Sequence, residues 1–112
     1  MERTVYVNGS FVPESQGQVS IFDRAFLFAD GVYEVSAVLR GKLLDNAAHL
    51  ARLARSLQEL DIAAPLDSAG IEAVQQELIE RNQLAEGTVY LQVTRGSSER
   101  DFAFPKEPKP TL

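Results

Sequence analysis

The chain has 112 residues, enough for one domain that buries about two-thirds of the surface its unfolded form exposes. Its composition, 45% hydrophobic and 24% charged, is that of a folding sequence, and a formal net charge of −5 without any basic stripe argues against nucleic acid as a partner. No apolar run approaches the roughly 20 residues that span a bilayer, Met1-Glu2-Arg3 lacks the layout of a secretion leader, and cysteine is absent, so the expectation is a cytoplasmic protein without disulfides or thiolate-bound metal.

In chain order, Val5 to Val7 and Phe11-Val12 flank Asn8-Gly9, the pair that best tolerates a tight hairpin turn, and predict two short antiparallel strands. Gly17 to Phe28 shows no clean period and is read as a structured loop. A strand is expected from about Val32 to Leu39, turning at Arg40-Gly41 so that Lys42 to Leu44 pairs back. From Asn46 the period changes, with Ala47, Leu50, Leu53, Ala54, Leu57 and Leu60 marking one face of a helix that ends near Asp61. A second helix starts after Asp67 or Ser68, either of which can cap it, and buries Ile71, Val74, Leu78 and Ile79. Thr88 to Thr94 reads as another strand, Arg95 to Asp101 as a polar loop, and Pro105 to Pro110 is too proline-rich for a helix or central strand. Hairpins, two consecutive helices and a later strand predict an α+β domain, the two helices packed on a mostly antiparallel sheet.

Three sets of residues carry possible chemistry. Alternation on the strand puts Tyr33, Val35, Ala37 and Leu39 on one side and Val32, Glu34, Ser36 and Val38 on the other. The Tyr33 phenol either lines a ligand pocket or belongs to an ordinary half-buried strand residue whose hydroxyl meets water. On the first helix His49, Arg52, Ser56 and Glu59 form a stripe beside the apolar face. Arg52 suits a phosphate, because its planar fork makes paired charge-assisted hydrogen bonds, or it lies along the core's edge or pairs with Glu59 or Glu34. His49, the single histidine, is read as a helix-surface residue or one that backs a neighbouring side chain, rather than a catalyst or metal ligand. Arg95 and Arg100, in the loop after the last strand, either grip an anion or sit in a solvated turn with Glu99 and Asp101.

The segments FDRAFLFADGVYEV, HLARLARSL, VYLQVTRG and SSERDFAFP, in this order, resemble the N-terminal portion of the class IV pyridoxal-phosphate aminotransferases, most closely those acting on D-amino acids. The resemblance covers nearly the whole chain. It implies a small N-terminal domain over residues 1–104, with 105–112 beginning an inter-domain connection that is cut short, and a homodimer as the working assembly. It gives Tyr33, Val35 and Ala37 to the wall of the substrate and cofactor pocket, and Arg52 to the phosphate of pyridoxal 5'-phosphate. Arg100 and Tyr90 would hold the substrate's α-carboxylate, but the position where the family has a histidine is Phe102. Arg52 and Tyr33 are therefore expected to face one shared hollow.

The family's reaction needs a lysine amine that binds the cofactor covalently and moves a proton, and none of Lys42, Lys106 and Lys109 matches its position. The resemblance thus implies a complete protein that moves an amino group between a D-amino acid and a 2-oxo acid, and a chain of this length that is inactive alone. Branched-chain aminotransferases and aminodeoxychorismate lyases resemble the same segments. A non-catalytic module that kept only the small domain fits the missing lysine equally well.

Overall fold

The computed structural model describes residues 2–112; Met1, where the leader reading began, lies outside them. Strands β1 (Thr4–Val7) and β2 (Ser10–Pro13) pair antiparallel, Val7 opposite Ser10 and Tyr6 opposite Phe11. Asn8 at φ 48° and Gly9 at φ 97° make the left-handed two-residue turn that matches strand twist, so this hairpin is as expected. Tyr6 and Phe11 meet edge to face with centroids 5.1 Å apart. The Asn82 side chain ties the hairpin to the rest of the chain: its amide accepts from Thr4 N at 2.8 Å and donates to Thr4 O at 2.9 Å, as a neighbouring strand would.

The segment read as a loop from Gly17 to Phe28 ends instead in a short helix, α1 (Arg24–Phe28). Asp23 caps it by accepting from Ala25 N, and Ala29 closes it at φ 55°. Five residues are too few to set a helical period in the sequence.

Strand β3 (Gly31–Leu39) lies between β4 (Lys42–Leu43) and β5 (Glu86–Thr94), antiparallel to both. A methyl group at Gly31 would stand 2.8 Å from the Val93 carbonyl oxygen, so only glycine lets the two strands approach there. Helices α2 (Asn46–Leu60) and α3 (Ser68–Arg81, capped by Asp67) cover one face of this sheet. Leu50, Leu53 and Leu57 of α2, with Ile62, Ile71, Leu91 and Val93, form the main core; Val38, Ile79 and Val89 form a second cluster. The buried stripe of α2 is narrower than its period suggests, since Ala47, Ala54 and Leu60 are exposed. Val74 and Leu78 of α3 are only half buried, while Gln75 between them is buried. A polar chain crosses the layers beside the core: Ser36 Oγ donates to Asn46 Oδ1 at 2.8 Å, and Asn46 Nδ2 donates to Gln75 Oε1 at 2.8 Å. The α+β expectation, helices on a mostly antiparallel sheet, holds.

Asp30 fixes where β3 begins. Arg24 Nε and Arg95 Nε both donate to its Oδ2 at 2.8 Å, and Arg95 Nη2 reaches Oδ1 at 3.3 Å. Both arginine side chains are 4% exposed. The remaining donors go to carbonyls: Arg24 to Asp101 O, Arg95 to Leu60 O and Asp61 O at the end of α2, where the helix dipole favours a cation. Arg95 is therefore neither a solvated turn residue nor an anion grip, and its guanidinium stacks 3.8 Å from the Phe104 ring centre. Replacing Asp30 with Ala strands two buried guanidiniums, and the expected cost is about 3–5 kcal/mol. Urea unfolding at neutral pH checks it, and a loss under about 1 kcal/mol would contradict the assignment.

Candidate ligand-binding face

Alternation along β3 divides its side chains as the sequence indicates. Glu34, Ser36 and Val38 are buried toward the helices, while Tyr33, Val35, Ala37 and Leu39 are exposed on the opposite, open face. Glu34 is 4% exposed, and a carboxylate so placed needs strong partners. Arg52, on the helix α2 that covers this face, supplies them: its Nε and Nη2 donate to the two carboxylate oxygens at 2.7 and 2.8 Å. His49 Nδ1, one turn away on the same helix, lies 2.7 Å from Glu34 Oε1.

Hydrogen bonds from Arg52, strongest among its influences, hold the Glu34 carboxyl at about 2 against an ordinary 4.5, with His49 adding to them and burial opposing. The same pair raises the Arg52 guanidinium above its ordinary value. Among the described residues Arg52 Nη1 has no hydrogen-bond partner, and the side chain is 59% exposed. Of the alternatives open for Arg52, the Glu34 pair is the one present. It leaves one corner of the fork directed away from the carboxylate and able to take an anion.

On the open face Tyr33 and Tyr90 stack, centroids 5.6 Å apart at 21°, and Val35 stands opposite Tyr90 in the ladder. Tyr33 is 63% exposed and Tyr90 56%, so the pair forms a flat aromatic surface rather than a pocket. Tyr90 Oη donates to Gln92 Oε1 at 2.7 Å. The fold thus brings Tyr33, Val35, Ala37 and Tyr90 together. Arg100 lies apart on its loop, its guanidinium 5.3 Å from the ring centres of both Phe28 and Phe102.

The Glu34 hydrogen bonds are the largest influence raising the Arg52 guanidinium, and the nearby Tyr33 phenol adds to them. Arg52 is clipped to Glu34 of the helix-bearing face, while Tyr33 belongs to the open face. The physical reason is the two-residue period: neighbours on one strand point to opposite sides. What this side of the chain offers an anion is a braced guanidinium. Lys42 sits at the β3–β4 hairpin, and Lys106 and Lys109 lie in the proline-rich tail.

Sequence reasoning missed the pairing of Asp30 with Arg24 and Arg95, and it gave Glu34 no more than one of several possible pairings with Arg52. The signal that singles Glu34 out is a carboxylate in an apolar strand, which needs a basic residue one layer away.

The amino-transferase class IV family profile matches residues 31–112. The chain belongs to the class IV aminotransferase family. It is 36% identical over 101 residues to a D-alanine aminotransferase of Staphylococcus aureus, covering 90% of this chain and 36% of that protein. A D-alanine aminotransferase of Bacillus licheniformis is 40% identical over 100 residues, covering 89% of this chain and 35% of that protein. Among solved structures, the 4-amino-4-deoxychorismate lyase from Pseudomonas aeruginosa matches with a TM-score of 0.73 and 33% identity, over 95% of this chain and 36% of that one. The Escherichia coli branched-chain amino acid aminotransferase matches with a TM-score of 0.91 at 14% identity, over 99% of this chain and 38% of that one, a likeness of fold. The chain spans little more than a third of the length of these class IV relatives.

The Glu34 clip has a pH signature. Its folded pKa of about 2 lies below the ordinary 4.5, so its stabilisation is complete above pH 4.5 and is lost as pH falls toward 2. Arg52 is largely exposed, so solvent screens the pair and keeps its contribution modest. In urea unfolding Glu34→Gln is expected to be less stable than the parent chain at neutral pH, and the two to converge as pH falls through that window. Parallel curves would refute it.

Proposed function

We propose that the complete protein is a pyridoxal-phosphate-dependent aminotransferase that moves an amino group between a D-amino acid and a 2-oxo acid. This chain supplies its small domain, residues 1–104, with 105–112 leading toward further chain. The observation that carries the reading is the braced Arg52, in a chain whose identity to D-alanine aminotransferases reaches 40%. Another branched-chain amino acid aminotransferase of the same fold was solved in complex with N-(5'-phosphopyridoxyl)-L-glutamate, which supports a phosphorylated pyridine as the group such a face meets.

In this reading Glu34 holds the Arg52 fork in one orientation, so Nη1 meets the cofactor phosphate without first losing side-chain freedom. Bound pyridoxal phosphate supplies the electron sink that lets the substrate's α-carbon give up its proton. Tyr33, Val35 and Ala37 form one wall beside the reacting groups, with Tyr90 fixed through Gln92. The other wall comes from chain outside these residues. Arg100 takes the substrate carboxylate, from one subunit to its neighbour in a homodimer, and Phe102 adds an apolar surface rather than a hydrogen-bond donor. The exposed Tyr33, Leu39, Phe26 and Phe104 suit burial in such an assembly. No helix among the described residues is long and apolar enough to cross a membrane, and a cytoplasmic setting suits substrates of this class. No residue of this chain is assigned the covalent step.

A second reading, an aminodeoxychorismate lyase, is favoured by the 33% identity to the Pseudomonas aeruginosa enzyme. Assaying the complete protein on D-alanine with a 2-oxo acid, and separately on 4-amino-4-deoxychorismate, distinguishes the two. For the first reading, Arg52→Ala is expected to weaken pyridoxal phosphate binding about 10- to 100-fold with KM for the D-amino acid little changed. Arg100→Ala should raise KM and spare cofactor binding. Equal effects of the two variants on both quantities would contradict these roles. The 112-residue chain alone, reduced with borohydride in the presence of pyridoxal phosphate, should show no single lysine modified stoichiometrically by peptide mapping; such an adduct would overturn the assignment of the covalent step elsewhere.

A further inference from the structure

Three arginines and three phenylalanines alternate in one connected series. The Arg95 guanidinium stands 3.8 Å from the Phe104 ring centre, and Arg24 stands 5.4 Å from that ring and 4.8 Å from Phe28. Arg100 stands 5.3 Å from Phe28 and 5.3 Å from Phe102. A cation over a ring is attracted by the negative potential of its face. Arg95 and Arg24 are anchored on Asp30, which leaves Arg100 as the outer cation of the series. Although Glu99 and Asp101 flank it in sequence, Arg100 has no ion pair among the described residues. Asp101 Oδ1 instead accepts from Ala103 N at 3.1 Å.

Both rings that meet Arg100 are held by Arg24. Its Nη1 donates to Asp101 O at 2.7 Å and to Ala103 O at 3.4 Å, the carbonyls on either side of Phe102, so the backbone carrying that ring is fixed at two points. Phe28 lies one turn along α1 from Arg24, its ring against the same guanidinium. The Phe28 and Phe102 ring centres are 5.5 Å apart, with their planes inclined at 55°. With Arg100 5.3 Å from each, the three groups form a nearly equal-sided triangle, so the cation caps the two rings rather than lying sandwiched between them. A cation capped on one side keeps N–H groups free on the other. Phe102 is 77% exposed, so its ring is not there to fill a core.

We propose that Phe28 and Phe102 are positioning residues, seating the Arg100 guanidinium so that its free N–H groups meet a substrate carboxylate. The inference rests on the carboxylate role given to Arg100 above and adds how that role is achieved. A solvated arginine on a loop samples many rotamers and loses that freedom on binding; a seat formed in advance lowers the loss. The ligand group that suits such a seat is a single carboxylate, which the planar fork takes through paired hydrogen bonds. The rings act on the ligand through Arg100, and Asp30 supports them at a distance through Arg24.

The test uses the complete protein with D-alanine and a 2-oxo acid. Phe102→Leu keeps an apolar side chain and removes the ring; it is expected to raise KM for D-alanine about two- to fivefold, with kcat and pyridoxal phosphate binding little changed. Phe102→Tyr, which restores a ring, is expected to keep the parent KM. In an Arg100→Ala background Phe102→Leu should have no further effect, since the ring acts through the guanidinium. An equal effect in both backgrounds, or an unchanged KM in Phe102→Leu while Arg100→Ala raises it, would overturn the proposal and leave the carboxylate role of Arg100 standing. An unchanged KM in Arg100→Ala would overturn that role and the proposal with it. NMR of the 112-residue chain reads the seat without activity: ring currents are expected to displace the Arg100 Nε–H proton in the parent and in Phe102→Tyr, and Phe102→Leu to return it toward the position of a free arginine. Identical shifts in all three would overturn the seat itself.

Discussion

Asp30 carries one negative charge between two guanidiniums that water scarcely reaches, and the position of the sheet follows from how the surplus positive charge is balanced. Burial opposes the carboxylate, but hydrogen bonds from Arg95 and Arg24 outweigh it and hold its pKa below the ordinary value. The second positive charge is taken up by carbonyl dipoles at the end of α2 and in the loop at Asp101. One carboxylate thereby joins α1, the start of β3, the end of β5, the end of α2 and the loop that carries Arg100. Gly31 follows at once, where β3 and β5 come too close for a side chain, and the nine-residue ladder of β3 with β5 runs out from that point.

From this origin the two-residue period distributes function. Odd-numbered positions of β3 go to the open face and present Tyr33 beside Tyr90; even-numbered positions go under the helices and present Glu34 to Arg52. A single strand serves two surfaces, and the carboxylate that would be a liability in a core becomes the brace of an arginine. A solved structure only 14% identical to this chain shares its fold with a TM-score of 0.91, which is consistent with backbone pairing and layer packing specifying the architecture while few side chains specify chemistry.

Much of the fold was legible because its signals are local. Asn8-Gly9 and Arg40-Gly41 announce their hairpins through positive φ angles, and the leucines of α2 announce a buried stripe through spacing. Asp67 announces its cap in the same way. What sequence did not disclose is pairing at a distance. Arg95 and its partner Asp30 are 65 positions apart, and an arginine next to Gly96 in a polar loop has the local look of a surface residue. Gln75 interrupts an apolar helix face because Asn46, on another helix, needs an acceptor. Of the candidate site, the residues of the open face could be grouped from alternation alone. That Glu34 and Tyr33 go to opposite faces was implicit in that alternation; which of Glu34 and Glu59 braces Arg52 was not, because it depends on how the helix lies over the sheet.

The Asn82 side chain stands in for a strand where it meets Thr4, and Arg81 beside it lays its guanidinium 4.5 Å from the Phe11 ring centre. Those contacts fasten the β1–β2 hairpin to the end of α3 at one corner, while Leu112, hydrogen-bonded to Asn8, fastens it at the other. Its strands are at most half buried, so between those fastenings the hairpin has little buried surface to resist opening. The hairpin is then the first part of the domain to loosen on warming, before either helix leaves the sheet, and α3 carries it as a rider rather than sharing its fate.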